Sequence, residues 1–280
     1  MRLIGLVTGV MTAAAMVAPA MAQTASAPAV LKAATPWAID YARDSCRAFR
    51  KYGTGADQVE LVFITLPRSS GATLVVVTSP EKGPGPKRAT FGWVRIGLQP
   101  GGESFNERYA SAPVGESPRR LLYVLLDQAQ LDQMIASNRI EIEGGKLDVV
   151  LEPGRTAAAF KALEPCHDDL LKSWEVDPEI LRSAVNRAVP TGTPQTWVTN
   201  ADYPKEALQK REQGTATFRL TIGTDGKVVG CTILHGSGSV VLDDTVCSLM
   251  RTRAKFTPAR DAAGKPVPDM WISRFRWELP

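Results

Sequence analysis

The chain has 280 residues, 44% hydrophobic and 22% charged, with 33 Lys and Arg against 29 Asp and Glu. That composition suits a globular protein able to bury one large or two ordinary cores. A formal net charge of +4 is too small for a nucleic-acid footprint or for membrane binding through charge.

Met1-Arg2 is a minimal positive head, Leu3 to Val17 is an apolar or small-residue run, and Pro19 with Ala20-Met21-Ala22 forms a helix breaker and a small-residue cleavage site. Residues 1–22 therefore read as a secretory signal peptide cut before Gln23. The run is shorter than the roughly 20 apolar residues of a spanning helix, so no stable membrane anchor is expected once it is removed. Gln23 to Thr35 is rich in Ala, Ser and Pro and reads as a flexible leader.

A first domain is expected over residues 36–174. Trp37, Tyr41, Ser45, Cys46 and Arg47 form an aromatic and cysteine-bearing opening segment. Val59 to Leu66 and Leu74 to Thr78 read as strands with a turn at Gly71, and Phe91 to Leu98 is a further alternating strand after the Pro and Gly loop at Pro80 to Pro86. Pro100-Gly101-Gly102 closes it. Leu121 to Leu126 is a continuous apolar run of the kind found in buried strands, and Leu131, Met134 and Ile135 share one face of a short helix. Arg139 to Ile142 and Leu147 to Leu151 flank Gly144-Gly145, a hairpin signal. Arg155 to Leu171 reads as an Ala-rich helix that Pro165 kinks or restarts. Residues 175–200 form the junction: Ile180, Leu181, Ala184 and Val185 suit a short helix, and Pro190 to Pro194 suits a semi-extended linker.

Residues 201–280 carry the clearest punctuation. Tyr203-Pro204 leads into a short helix over Lys205 to Gln213, since proline suits a first turn, and Gly214 ends it. Thr215 to Ile222 alternates, with Ala216, Phe218, Leu220 and Ile222 on one face. Thr224-Asp225-Gly226-Lys227 reverses the chain into a second strand, Val228 to Leu234. After Gly236-Ser237-Gly238-Ser239, the spacing of Leu242, Val246, Leu249 and Met250 predicts a helix lying across the hairpin, with Arg251 and Arg253 in its last turn. Past Phe256-Thr257-Pro258-Ala259 and Gly264, Met270 to Leu279 alternates Trp271, Ser273, Phe275 and Trp277 against Ile272, Arg274, Arg276 and Leu279, the pattern of a final strand. The fold class is α+β: a three-stranded antiparallel sheet with two helices, preceded by a mixed, strand-dominated domain.

The ordered set Tyr203-Pro204, Ala207, Gly214, Asp225-Gly226, Ser237-Gly238, Leu242-Asp243, Phe256-Thr257-Pro258-Ala259 and Gly264 resembles the TonB C-terminal domain family. In that family the last strand is an edge that accepts a short extended segment of an outer-membrane receptor as an added strand. The resemblance implies a periplasmic location, an outer-membrane receptor or other envelope protein as partner, and a binding surface at Trp271, Ile272, Ser273, Arg274, Phe275, Arg276 and Trp277. The plainer alternative is that Trp271, Phe275 and Trp277 only fill the core. The family's transducers also carry a motor-coupling transmembrane helix and a long Pro, Glu and Lys-rich spacer, neither of which this sequence displays. A module that binds without pulling is therefore expected.

Four cysteines in an exported chain are most economically two disulfides. Of three connectivities, Cys46–Cys166 with Cys231–Cys247 keeps each pair within one domain. A metal site is the alternative, with Cys166-His167 adjacent and His235 near Cys231, but no CxxC or HxxxH spacing supports it. No metal or cofactor is expected. Nor is catalysis: with only His167 and His235 available, Ser237 after His235 is the one arrangement that imitates a nucleophile beside its base, and Gly and Ser there suit a turn. Asp243 and Asp244 suit a first helical turn, and the Lys and Arg clusters at Lys205, Lys210, Arg211 and around Arg251 to Arg260 suit solvated faces. Three readings follow: a binding module using the last strand, a scaffold whose edge serves homodimerisation or interdomain packing, and, third, an envelope enzyme whose site lies in the first domain.

Overall fold

A computed structural model describes residues 30–69, 71–79, 90–111 and 119–279. The expected signal peptide, most of the leader and the loop at Pro80 to Pro86 lie outside the described residues.

The first unit is a ten-stranded sheet. Its strands in chain order are β1 (Val30–Leu31), β2 (Ala38–Tyr41), β3 (Cys46–Tyr52), β4 (Val59–Thr65), β5 (Gly71–Thr78), β6 (Thr90–Gln99), β7 (Ser104–Ser111), β8 (Leu121–Asp127), β9 (Arg139–Gly144) and β10 (Leu147–Leu151). They lie in the order β1-β10-β9-β6-β7-β8-β5-β4-β3-β2. Val30 and Leu31 pair with β10, while Ala33 bridges to Tyr52 on β3. One short segment thus spans the seam, and the sheet curls back on itself. Inside the curl, alternate residues such as Leu61, Phe63, Leu74, Ile96, Leu122 and Ile142 are fully or almost fully buried, the half-buried pattern that period-2 strands produce. Helix α1 (Gln128–Ala136) adds Leu131 and Met134 to this core, and Asp127 starts it with a capping box to Gln130.

Four of these strands are absent from the sequence reading: β1, which falls in the expected flexible leader, β2, β3 and β7. β3 occupies the opening segment, where Cys46, Ala48 and Tyr52 are buried. β7 is mostly polar, with no buried residue before Ser111, and only Phe105 and Tyr109 packed on the core, so its alternation is weak.

Helices α2 (Thr156–Lys161) and α3 (Glu164–Ser173) replace the single helix expected over Arg155 to Leu171. Pro165 sits in the first turn of α3, where its missing N–H costs nothing. Cys166 of α3 is joined to Cys46 of β3, pinning the helix to the sheet. α4 (Pro178–Ser183) follows, capped by Asp177. It ends before Ala184 and Val185, which belong instead to β11 (Ala184–Asn186).

The second unit begins earlier than the sequence implies. β11 pairs with β16 (Ala259–Asp261), and β12 (Val189–Pro190) pairs with β15 (Phe256–Thr257). Trp197 and Val198 lie in the second core. Residues 184–198, expected as a linker, are thus tied to the second unit by backbone ladders too short to show periodicity. Helix α5 (Lys205–Gln209) precedes β13 (Gly214–Ile222), β14 (Val228–His235) and the long α6 (Val240–Arg253). β17 (Pro266–Val267) pairs with β16, and β18 (Asp269–Trp277) closes the fold. The main sheet has the order β14-β13-β18, all antiparallel. α6 lays Leu242, Val246 and Met250 on it, and Cys247 is bonded to Cys231 of β14.

Candidate functional site

β18 is paired along its whole length. Gly214 to Ile222 oppose Trp277 to Asp269 without a register break, so side chains alternate strictly between two faces. Both faces are occupied. Trp271 lies in an aromatic cluster with Trp197 at 5.8 Å and Phe256 at 5.6 Å between ring centroids. Phe275 meets Trp277 at 4.8 Å, and Trp277 meets Tyr203 at 5.2 Å. The Tyr203 hydroxyl donates to the Glu212 carbonyl. The core-filling role weighed for Trp271, Phe275 and Trp277 is what these contacts describe.

The opposite face is buried at Met270 and Ile272 and exposed at Arg274 and Arg276. Ile272, 8% exposed, packs with Met270 against Leu171 and Leu181 of the first unit's helices. Arg274 donates through Nη2 to Thr73 Oγ1 of β5 at 3.0 Å. Arg274 and Arg276 are both exposed, and Arg276 pairs with Glu278 at 2.8 Å. Leu279, past the end of the strand, turns to the second core. Ile272 is turned from solvent because the first unit lies against this face, a contact no local pattern can announce, while Arg274 reaches the first unit and stays exposed.

Asp269 anchors the start of the strand. Its side chain is fully buried, receives Arg68 Nη2 at 2.8 Å and Nε at 3.2 Å on Oδ1, and receives the Ala188 N–H at 2.8 Å on Oδ2. Arg187, beside Arg68, is held below its ordinary pKa by burial and by that like charge. Nearby, the Arg219 guanidinium lies 4.8 Å from the centroid of the Trp174 ring and is also pushed down by burial. Sequence reasoning missed Asp269, Arg68, Arg219 and Trp174. Only the lone acid opening an apolar strand hinted at a partner.

What remains is the strand's outer edge. Among the described residues β18 has one neighbour, β13, so every second N–H and C=O from Trp271 to Trp277 faces away from the sheet. The other edge strand, β14, differs. Its ladder with β13 shifts register at two places, and Arg251 Nη2 already bonds the Cys231 carbonyl at 3.1 Å. Bulges twist an edge away from further pairing, leaving β18 as the long regular edge.

The remaining candidates resolve into local geometry. His235 Nε2 lies 3.1 Å from Asp44 Oδ2, whereas Ser237 Oγ donates to the Ser239 carbonyl, so His235 and Ser237 are not brought together as base and nucleophile. Asp243, in the first turn of α6, accepts the Ser237 N–H at 2.8 Å. His167 Nε2 is 2.8 Å from Thr65 Oγ1, and burial lowers the His167 pKa. No group of three or more His, Cys, Asp or Glu side chains able to hold a metal ion occurs among the described residues, and no described helix is long and apolar enough to cross a membrane.

The motif glycines have mechanical reasons. Gly226 has φ +78, and a Cβ there would meet the Phe256 carbonyl oxygen at 2.0 Å; a Cβ on Gly214 would meet the Ser237 carbonyl oxygen at the same distance. These close approaches seat α6 and the β15 segment on the hairpin.

An α+β unit whose regular strand edge is unpaired among the described residues offers a surface for protein interaction. Residues 199–279 match the family model described as the Gram-negative bacterial TonB protein C-terminal. That segment is therefore similar to the TonB C-terminal domain, a likeness that suggests a TonB-like envelope protein involved in protein–protein interaction. The two disulfides fit an extracytoplasmic location. No curated protein matches the chain.

Proposed function

We propose that this is a periplasmic binding protein, exported through its N-terminal signal, that recognises an extended segment of an outer-membrane receptor or another envelope protein by adding it as a strand to β18. The segment matched to the family supplies the module, and residues 36–174 form an accessory domain in front of it. The observation that carries the reading is the uninterrupted nine-residue ladder of β18 on β13 with no strand on its other side among the described residues. Main-chain hydrogen bonds along such an edge supply affinity, and neighbouring side chains supply selectivity. Because Ile272 packs on the first unit through a face, interdomain packing and edge pairing do not compete for the same atoms. The protein binds its partner without a motor of its own.

Adjacent residues of a strand point their amides to opposite sides, which gives a clean test. Ser273→Pro and Arg274→Pro each delete one amide, and one of the two faces β13 while the other faces outward. Mature protein carrying each change is used as bait for envelope extract, with Arg274→Ala controlling for the lost Thr73 contact. The proline that leaves the thermal midpoint near the parent's should abolish receptor capture, and the other should lower the midpoint. A parent that is folded, captures nothing and runs as a dimer would move the edge to homodimerisation.

A further inference from the structure

Between the two units lies a cavity of about 610 Å³, within the size range of small-ligand sites. One wall is the outer face of the first sheet, where Ile64, Thr73 and Leu125 stand side by side in register on β4, β5 and β8. The other is the face of the second sheet, where His235, Thr217 and Arg274 stand side by side on β14, β13 and β18. The units are already locked together farther along by Asp269 with Arg68 and by Ile272 on Leu171 and Leu181. Yet past Ile272 the two faces do not interdigitate as packed sheets do, and Leu125 keeps 52% of its surface exposed at the gap.

The charges on these walls are unbalanced. His235 is matched by Asp44 at one side. Arg274 has only the Thr73 hydroxyl, and among the described residues no carboxylate pairs with it. Its side chain stays exposed where it lines the cavity. A guanidinium without a counter-ion beside an apolar wall favours an anion that can form a charge-assisted hydrogen bond to it.

The geometry points to a binding site for a small amphipathic carboxylate: an anionic head on Arg274, with the Thr73 and Thr217 hydroxyls beside it, and a hydrocarbon body on Ile64, Leu125 and Ile272. The site lies on a sheet face and is separate from the unpaired edge, so it stands whether or not strand addition occurs. A ligand held there would touch both units and tighten their packing against each other.

Isothermal titration of the whole exported chain with dodecanoate and with dodecylamine, both below their micelle concentrations, tests it. Dodecanoate is expected to bind at one site, dodecylamine not to. Arg274→Gln should weaken dodecanoate roughly tenfold, as loss of a charge-assisted contact requires, Leu125→Ser should weaken it as well, and Arg276→Gln should leave it unchanged. Thermal midpoints confirm that each variant is folded; if Arg274→Gln is not, Leu125→Ser carries the comparison. Equal binding of carboxylate and amine, no binding to the folded parent, or an equal loss in Arg276→Gln would overturn the assignment.

Discussion

Asp269 and His167 do their work in opposite charge states. Asp269 satisfies the Arg68 guanidinium and the Ala188 amide from a fully buried position. Removing one member of such a pair leaves the other charge and a backbone donor without a partner. Asp269→Ala should therefore cost roughly 3 kcal/mol in urea unfolding, near the lower end for broken buried pairs because Arg68 remains partly exposed. His167 is favoured neutral. The Thr65 hydroxyl donates to the Cys46 carbonyl at 3.2 Å, so it accepts from His167 Nε2, which fixes the Nε2–H tautomer. With its folded pKa below the ordinary value, the unfolded chain binds this proton first as pH falls. The group contributes no pH dependence above its unfolded pKa, and stability is lost as pH drops from there towards the folded pKa. Urea midpoints at pH 7.5 and 5.5 should show a decline that is smaller in His167→Gln.

At the level of elements, the alternating strands and the amphipathic α6 were legible because each buries one face and its period is local. β7 was not: Glu107 faces α1 and accepts from Gln130 at 2.7 Å, so a polar residue stands where an apolar one would have marked the strand. β11 and β12 were not legible either, since two or three residues carry no period. Cysteine economy anticipated both disulfides, and their loops differ greatly, with separations of 120 and 16 residues. Replacing Cys46 and Cys166 by Ala should cost about 4–5 kcal/mol and replacing Cys231 and Cys247 about 3 kcal/mol on loop entropy alone, an order that urea unfolding of the two double variants checks. Gly226→Ala should destabilise by roughly 1–3 kcal/mol, because positive φ and the Phe256 carbonyl both oppose a side chain there. A Gly264→Ala change, with φ +78 but open space around it, should cost less in the same measurement.

Across the whole molecule, the candidate strand was located from its alternation and its family resemblance, while its surroundings were not. Arg68 and Asp269 are separated by 201 positions, as are Thr73 and Arg274, and no pattern within either strand signals the other. The consequence is functional. β18 is held from both faces, by the Trp197, Phe256 and Phe218 rings on one side and by Leu171 and Leu181 on the other. An edge held this firmly loses little freedom when a partner strand pairs with it. The most direct measurement is amide hydrogen exchange of the full chain with and without an extended receptor-derived peptide. Strand addition at β18 requires new protection at alternate amides between Trp271 and Trp277 and none along Val228 to His235. Protection confined to β14, or a bound peptide that leaves β18 exchanging as before, would contradict it.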